Sequence, residues 1–98
     1  MPLSIVRSPR AKRDAIGIWN YVSAESRTGA ERLLRRIDTV VKMLSRNPQA
    51  GRRTEWSEDL RLFPFENYLI FYRSTRETLF IVRILHAARD VTPDLLSE

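Results

Sequence analysis

The period of the hydrophobic pattern changes at Gly51. Upstream, Ala30, Leu33, Leu34, Ile37, Val40, Val41 and Leu44 recur at helical spacing, the clearest periodic signal in the chain. Downstream, Asn67 to Arg73 (NYLIFYR) and Thr78 to His86 (TLFIVRILH) are rich in β-branched and aromatic residues and read as strands. A chain divided in this way is α+β, with a helical layer carried on one face of an antiparallel sheet.

Leu3 to Arg7 reads as a short opening strand, and Ser8-Pro9 supplies an N-cap and a proline at the first helical position. Ala11, Ala15, Ile18, Trp19 and Val22 then mark a first amphipathic helix to about Glu25. Ser26-Arg27-Thr28-Gly29 breaks it, and the second helix runs from Thr28 or Gly29 to about Asn47, where Asn47-Pro48 and Ala50-Gly51 stop it. A connection this short makes the pair an antiparallel hairpin. Arg52 to Trp56 is a weak strand candidate, and Leu60 to Phe65 follows the acidic turn Ser57-Glu58-Asp59. The expected order is β-α-α-β-β-β over a single domain, residues 1–98, with Thr92-Pro93-Asp94 capping a short terminal turn at Leu95-Leu96. Closing the last hairpin with Arg73 opposite Thr78 gives one face made of Leu69, Phe71, Phe80, Val82 and Ile84. That face is expected under the helices, on the condition that the register has not slipped.

Composition narrows the function. No cysteine is present, which excludes disulfides, thiolate chemistry and Cys-based zinc sites, and one histidine leaves no metal site or cofactor to expect. No stretch approaches the about 20 apolar residues of a membrane span, and the first residues lack a signal-peptide pattern, so a cytoplasmic location is expected. The net charge of +5 comes from 15 Arg and 2 Lys against 12 acids. Arginine suits bidentate recognition of carboxylate or phosphate, so the partner is nucleic acid or an acidic protein segment. Arg-rich codon usage is an alternative source of the Arg to Lys ratio, but it does not explain the net charge.

Ile18-Trp19-Asn20-Tyr21-Val22, Asn47-Pro48-Gln49-Ala50-Gly51-Arg52 and Asp59-Leu60-Arg61 stand in the order found in a known family. So do Tyr68-Leu69-Ile70-Phe71-Tyr72-Arg73 and Val82-Arg83-Ile84-Leu85-His86-Ala87-Ala88-Arg89-Asp90. Together they resemble the ParE toxins of the RelE/ParE superfamily over nearly the whole chain. The resemblance implies a bacterial toxin of a type II toxin–antitoxin system, of the kind that stabilises plasmids or chromosomes. It implies DNA gyrase as the target, and neutralisation by an acidic segment of a ParD-type antitoxin in a hetero-oligomer. The superfamily also holds RelE-like ribonucleases that cut mRNA on the ribosome. Attack by a 2′-OH needs a base, a cation on the phosphate and an acid for the leaving oxygen. Those ribonucleases resemble this chain through the Tyr68 strand but carry a catalytic Arg at the position of Leu69 and a Tyr near Leu95. Arg89 survives; leucine supplies neither missing group. The implied reading is a non-enzymatic poison, with a RelE-like endoribonuclease using Arg61, Arg83, His86 and Arg89, or a non-toxic member that only binds antitoxin, as alternatives.

Each candidate partner-binding residue carries a structural reading as well. Arg83 lies in an apolar strand and must snorkel, pair with an acid or meet a ligand carboxylate. His86 is a strand-end histidine bonded to backbone, or a partner contact. Arg89 with Asp90 is a local salt bridge or part of a target surface, and Arg61 is a partner or catalytic cation. Arg32 and Arg36, four apart with Arg35 beside them, form a solvated helix face or a seat for an acidic segment. Tyr68 and Tyr72 are cross-strand core residues or a base-stacking platform. Trp19 adjoins the first helix stripe, and Trp56 is an exposed aromatic or a core residue.

Overall fold

The computed structural model describes residues 1–96. Strand β1 (Ser4–Arg7) is followed by helices α1 (Pro9–Ser23) and α2 (Arg27–Arg46), a two-residue strand β2 (Arg52–Arg53), and strands β3 (Arg61–Phe65), β4 (Tyr68–Ser74) and β5 (Thr78–His86). A 3-10 turn at Pro93–Leu96 ends the described chain. The helix boundaries follow local chemistry. Ser8 Oγ accepts the Ala11 N–H (3.0 Å), with Pro9 in the first turn. Ser26 Oγ accepts the Gly29 N–H (2.9 Å), so α2 begins one residue before the earliest start expected.

The sheet order is β1-β5-β4-β3-β2. From β2 to β5 it is the expected antiparallel meander. β1 pairs parallel with β5, Ser4 opposite Thr78 through Arg7 opposite Ile81, so the opening strand becomes one edge and the sheet is mixed. The second strand candidate, expected over Arg52 to Trp56, is shortened to Arg52–Arg53, because the segment after Thr54 turns away to reach Leu60.

The last hairpin differs from the register inferred above. Ser74 faces Leu79 and Tyr72 faces Ile81; the pairing then shifts by one residue, so that Phe71 faces Arg83 and Ile70 faces Ile84. Val82 is the extra residue of a β-bulge. Its carbonyl accepts a hydrogen bond from Ser8 Oγ (2.7 Å), which joins the cap of α1 to the irregular point of β5.

The helices cover the sheet face opposite to the one expected, and the bulge carries Ile84 across to it. The helix-facing core contains Ile70, Tyr72, Leu79, Ile81 and Ile84 with Ala11, Ile18, Ile37, Val41 and Leu44. Leu69, Phe71 and Val82, expected beneath the helices, lie instead with Leu60, Leu62 and Leu85 in a second cluster. Leu96 of the terminal turn is buried there, with Val91 and Leu95 packed against it. Only Ile84 of the expected covered face meets the helices' core as a buried residue. One inserted residue moved it there, since side chains alternate with a period of two.

Gly51 and Tyr72 lock the turn between the helical and strand halves. The Gly51 N–H donates to Tyr72 Oη (2.8 Å), which itself donates to the Pro48 carbonyl (2.8 Å). A Cβ on Gly51 would lie 2.5 Å from that oxygen and 2.8 Å from the Leu62 carbonyl, so this close approach admits only glycine.

Candidate partner-binding site

The expected site residues separate into three groups. Arg83 and Arg61 are structural ties. Arg83 Nε and Nη2 donate to the two carboxylate oxygens of Asp14 (both 2.8 Å), and Nη1 donates to the Leu95 carbonyl (2.6 Å). The Ile84 N–H donates to the same carboxylate (3.0 Å). Both side chains are largely buried, at 7% and 13% exposure. The hydrogen bonds to Asp14 hold the guanidinium pKa above its ordinary value, outweighing the opposing effect of burial. Of the readings open from sequence, pairing with an acid is the one realised, and it joins α1, β5 and the terminal turn. Arg61 Nη1 donates to the Gly51 carbonyl (2.7 Å) beside the same turn.

The second group lies on exterior surfaces away from a common centre. Arg36 reaches Glu66 in the β3–β4 turn (3.0 Å) and stands 5.3 Å over the ring of Phe65, while Arg32 is exposed. At this exposure the ion pair contributes little, on the order of 0 to 1 kcal/mol. Trp19 is half-buried on α1. Trp56 is 37% exposed, its ring 6.2 Å from that of Phe71 at 43°, so it borders the second cluster rather than standing free.

His86 and Arg89 form the third group, and they do share a site. They line a groove of about 510 Å³ between α1 and the end of β5, together with Arg13, Tyr21 and Tyr68. The floor is apolar, from Ile18, Ile84 and Leu85. The His86 ring packs edge-on against Tyr68, 5.4 Å between centroids at 77°. Its Nδ1 accepts the Ala88 N–H (3.1 Å), which in the neutral ring leaves the proton on Nε2. This is the backbone-bonded histidine that sequence allowed, now with one face on a groove. Burial, reinforced by Tyr21 and Glu66, raises the pKa of the Tyr68 phenol and keeps it neutral. Asp14 also lines the groove, but Arg83 occupies its carboxylate.

Sequence reasoning missed Asp14, Arg13, Tyr21 and Gly17 as members of this region. Asp14 had a readable signal: it falls three after Ala11 and four before Ile18, so the acid occupies the buried stripe of α1. No equivalent mark distinguished Tyr21 or Arg13, which are exposed helix residues that border a groove only because β5 is brought beside them. Tyr68, read as core packing or as a stacking platform, is half-buried against the core with one side on the groove. Tyr72 is fully buried and belongs to the core. Among the described residues no cluster of three or more His, Cys, Asp or Glu can hold a metal ion, and no helix is long and apolar enough to cross a membrane.

The groove thus combines two arginines unpaired among the described residues, aromatic walls and an apolar floor in a small α+β fold. Comparison with known proteins places this fold in a family. The model of the ParE toxin of type II toxin-antitoxin systems, parDE, matches residues 5–91. The chain belongs to this toxin family. Among solved structures it is similar to the chromosomal ParDE toxin–antitoxin system of P. aeruginosa, at 25% identity and a TM-score of 0.74, covering 86% of this chain and 95% of that one. It also has the fold of a chain in the RelBE2 toxin–antitoxin complex of Mycobacterium tuberculosis, at 19% identity and a TM-score of 0.66, covering 88% and 99%. No curated protein matches it at the same stringency.

Proposed function

We propose that this toxin acts without catalysing a reaction, by poisoning DNA gyrase, and that a ParD-type antitoxin neutralises it through an acidic segment. The observation that carries the proposal is the family match over residues 5–91, joined to the fate of the two positions that ribonuclease chemistry needs. Leu69 and Leu95 both pack against one apolar cluster, alongside Leu60, Phe71 and Leu96. A surface closed by aliphatic side chains has no cation for a scissile phosphate and no acid for a leaving oxygen. Two further groups of a hypothetical ribonuclease set are engaged elsewhere, Arg83 with Asp14 and Arg61 with the Gly51 carbonyl.

The net charge of +5 and the groove cations supply what an acidic antitoxin segment would meet. Inducing the toxin in cells without its antitoxin tests the target. The expected result is a DNA-damage response and a broken chromosome with messages intact. Rapid cleavage of transcripts at codons in the ribosomal A site would overturn it in favour of the RelE-like reading.

A further inference from the structure

We propose that the outward face of α1 around Gly17 is where the antitoxin segment docks, its backbone or a small side chain lying against the bare helix at Gly17. This rests on the toxin–antitoxin reading above and names the surface that reading uses.

Glycine is the poorest helix-interior residue after proline, so one in mid-helix calls for a reason. Gly17 is eight residues from either end of α1 or closer, and the fold supplies none. Its φ is not positive, and a Cβ built on it meets nothing within 4 Å. Gly51 is the contrast, since there the protein itself fills the space. At Gly17 the missing side chain faces outward.

Its neighbours are unusual too. Tyr21 (81% exposed) and Ile16 (60%) are, after Met1, the most exposed large apolar side chains among the described residues. Both stand on α1 beside Gly17. Two surface depressions also meet at Gly17 and Tyr21, one running to His86 and Arg89, the other to Glu25 and Ser26. The two depressions join along one helix through Gly17 and Tyr21, and Ile16 stands exposed beside that track.

Charge selects the occupant. At the β5 end Arg13 and Arg89 line the track and have no ion-pair partner among the described residues. The one carboxylate lining that end, Asp14, is engaged by Arg83 and the Ile84 N–H. Glu25 is at the opposite end. A fitting ligand is an amphipathic acidic segment, with apolar anchors beside Gly17 and Tyr21 and carboxylates toward Arg13 and Arg89. A second copy of this chain would bring these unpaired cations together, which opposes self-association through this face.

The test is Gly17→Leu, measured by calorimetric titration with the purified antitoxin alongside the wild-type toxin. Leucine is a good helix former and open space surrounds the site, so the variant's unfolding temperature is expected to equal or exceed that of the wild type. Its antitoxin affinity is expected to fall about 100-fold, the loss that follows from blocking the centre of an interface. Arg13→Glu with Arg89→Glu is expected to weaken binding about 10-fold and to reduce its salt dependence. A folded Gly17→Leu toxin that binds antitoxin as well as the wild type would overturn the surface assignment while leaving the toxin–antitoxin reading intact. A wild-type toxin that fails to bind the antitoxin would remove that reading and this one together. Loss of toxin dimers or of toxicity, with antitoxin affinity unchanged, would assign the face to a second copy or to the target and equally overturn it.

Discussion

At the scale of single residues, the Arg83–Asp14 pair and Tyr72 hold parts of the molecule that burial alone would leave loosely joined. Arg83 is the largest case, because its two carboxylate bonds and one carbonyl bond connect three separate segments. Removing one partner leaves a buried charge uncompensated. Asp14→Ala should therefore destabilise the toxin by about 3 to 5 kcal/mol, whereas changing both residues to apolar ones of similar size should cost much less. Urea unfolding of the two single variants and the double variant checks this, and additive losses would show that the pair is not coupled. Tyr72 offers a second test. Burial is the main cause raising its phenol pKa above the ordinary 10.0, and Tyr68 moves the same way. The folded state thus holds these protons more tightly than the unfolded chain. Their contribution is complete below pH 10 and is lost as pH rises through the folded values. An unfolding free energy that declines in this alkaline range, with a shallower decline in Tyr72→Phe, is the expected result. In neutral buffer Tyr72→Phe should cost about 1 to 3 kcal/mol, since Gly51 N–H and the Pro48 carbonyl lose their partner.

Among the elements, the terminal segment matters more than its length suggests. Val91, Leu95 and Leu96 cover the sheet face that the helices leave bare, and the Leu95 carbonyl receives Arg83 Nη1. Leu96→Ala should cost about 2 to 4 kcal/mol. Ending the chain after Asp90 should increase binding of a hydrophobic dye such as ANS and lower the melting temperature; unchanged dye binding would show that another segment covers the cluster. Sequence periodicity was sufficient for α1, α2 and the β3 to β5 meander, because their stripes and strand runs are local signals. It placed β1 as an opening strand but not its neighbour, because the parallel partner lies more than seventy positions away and leaves no mark near Leu3 or Arg7. The bulge at Val82 was equally invisible, since nothing in TLFIVRILH marks which residue is skipped by the ladder. That single skip explains why Ile84 joins the helix-facing core although Val82, on the same expected face, does not.

On the scale of the whole molecule, the helical layer and the terminal segment enclose opposite faces of one sheet, and function is left to the exterior. His86 and Arg89 were legible as candidates because one ends the last strand and the other closely follows it. The groove was not legible, because it forms only when α1 is laid beside the end of β5. The proposed binding function needs surfaces of this kind, and the leucines at positions 69 and 95 pack in the second cluster, where the resemblance to RelE-like ribonucleases would place reactive groups. The most direct test uses purified toxin with DNA gyrase and supercoiled plasmid, and in parallel with ribosomes programmed with a defined mRNA. The expected result is gyrase-linked double-strand breaks that rise with toxin and disappear when antitoxin is added, and an uncut message. Unaffected gyrase together with message cut at the A-site codon would contradict it.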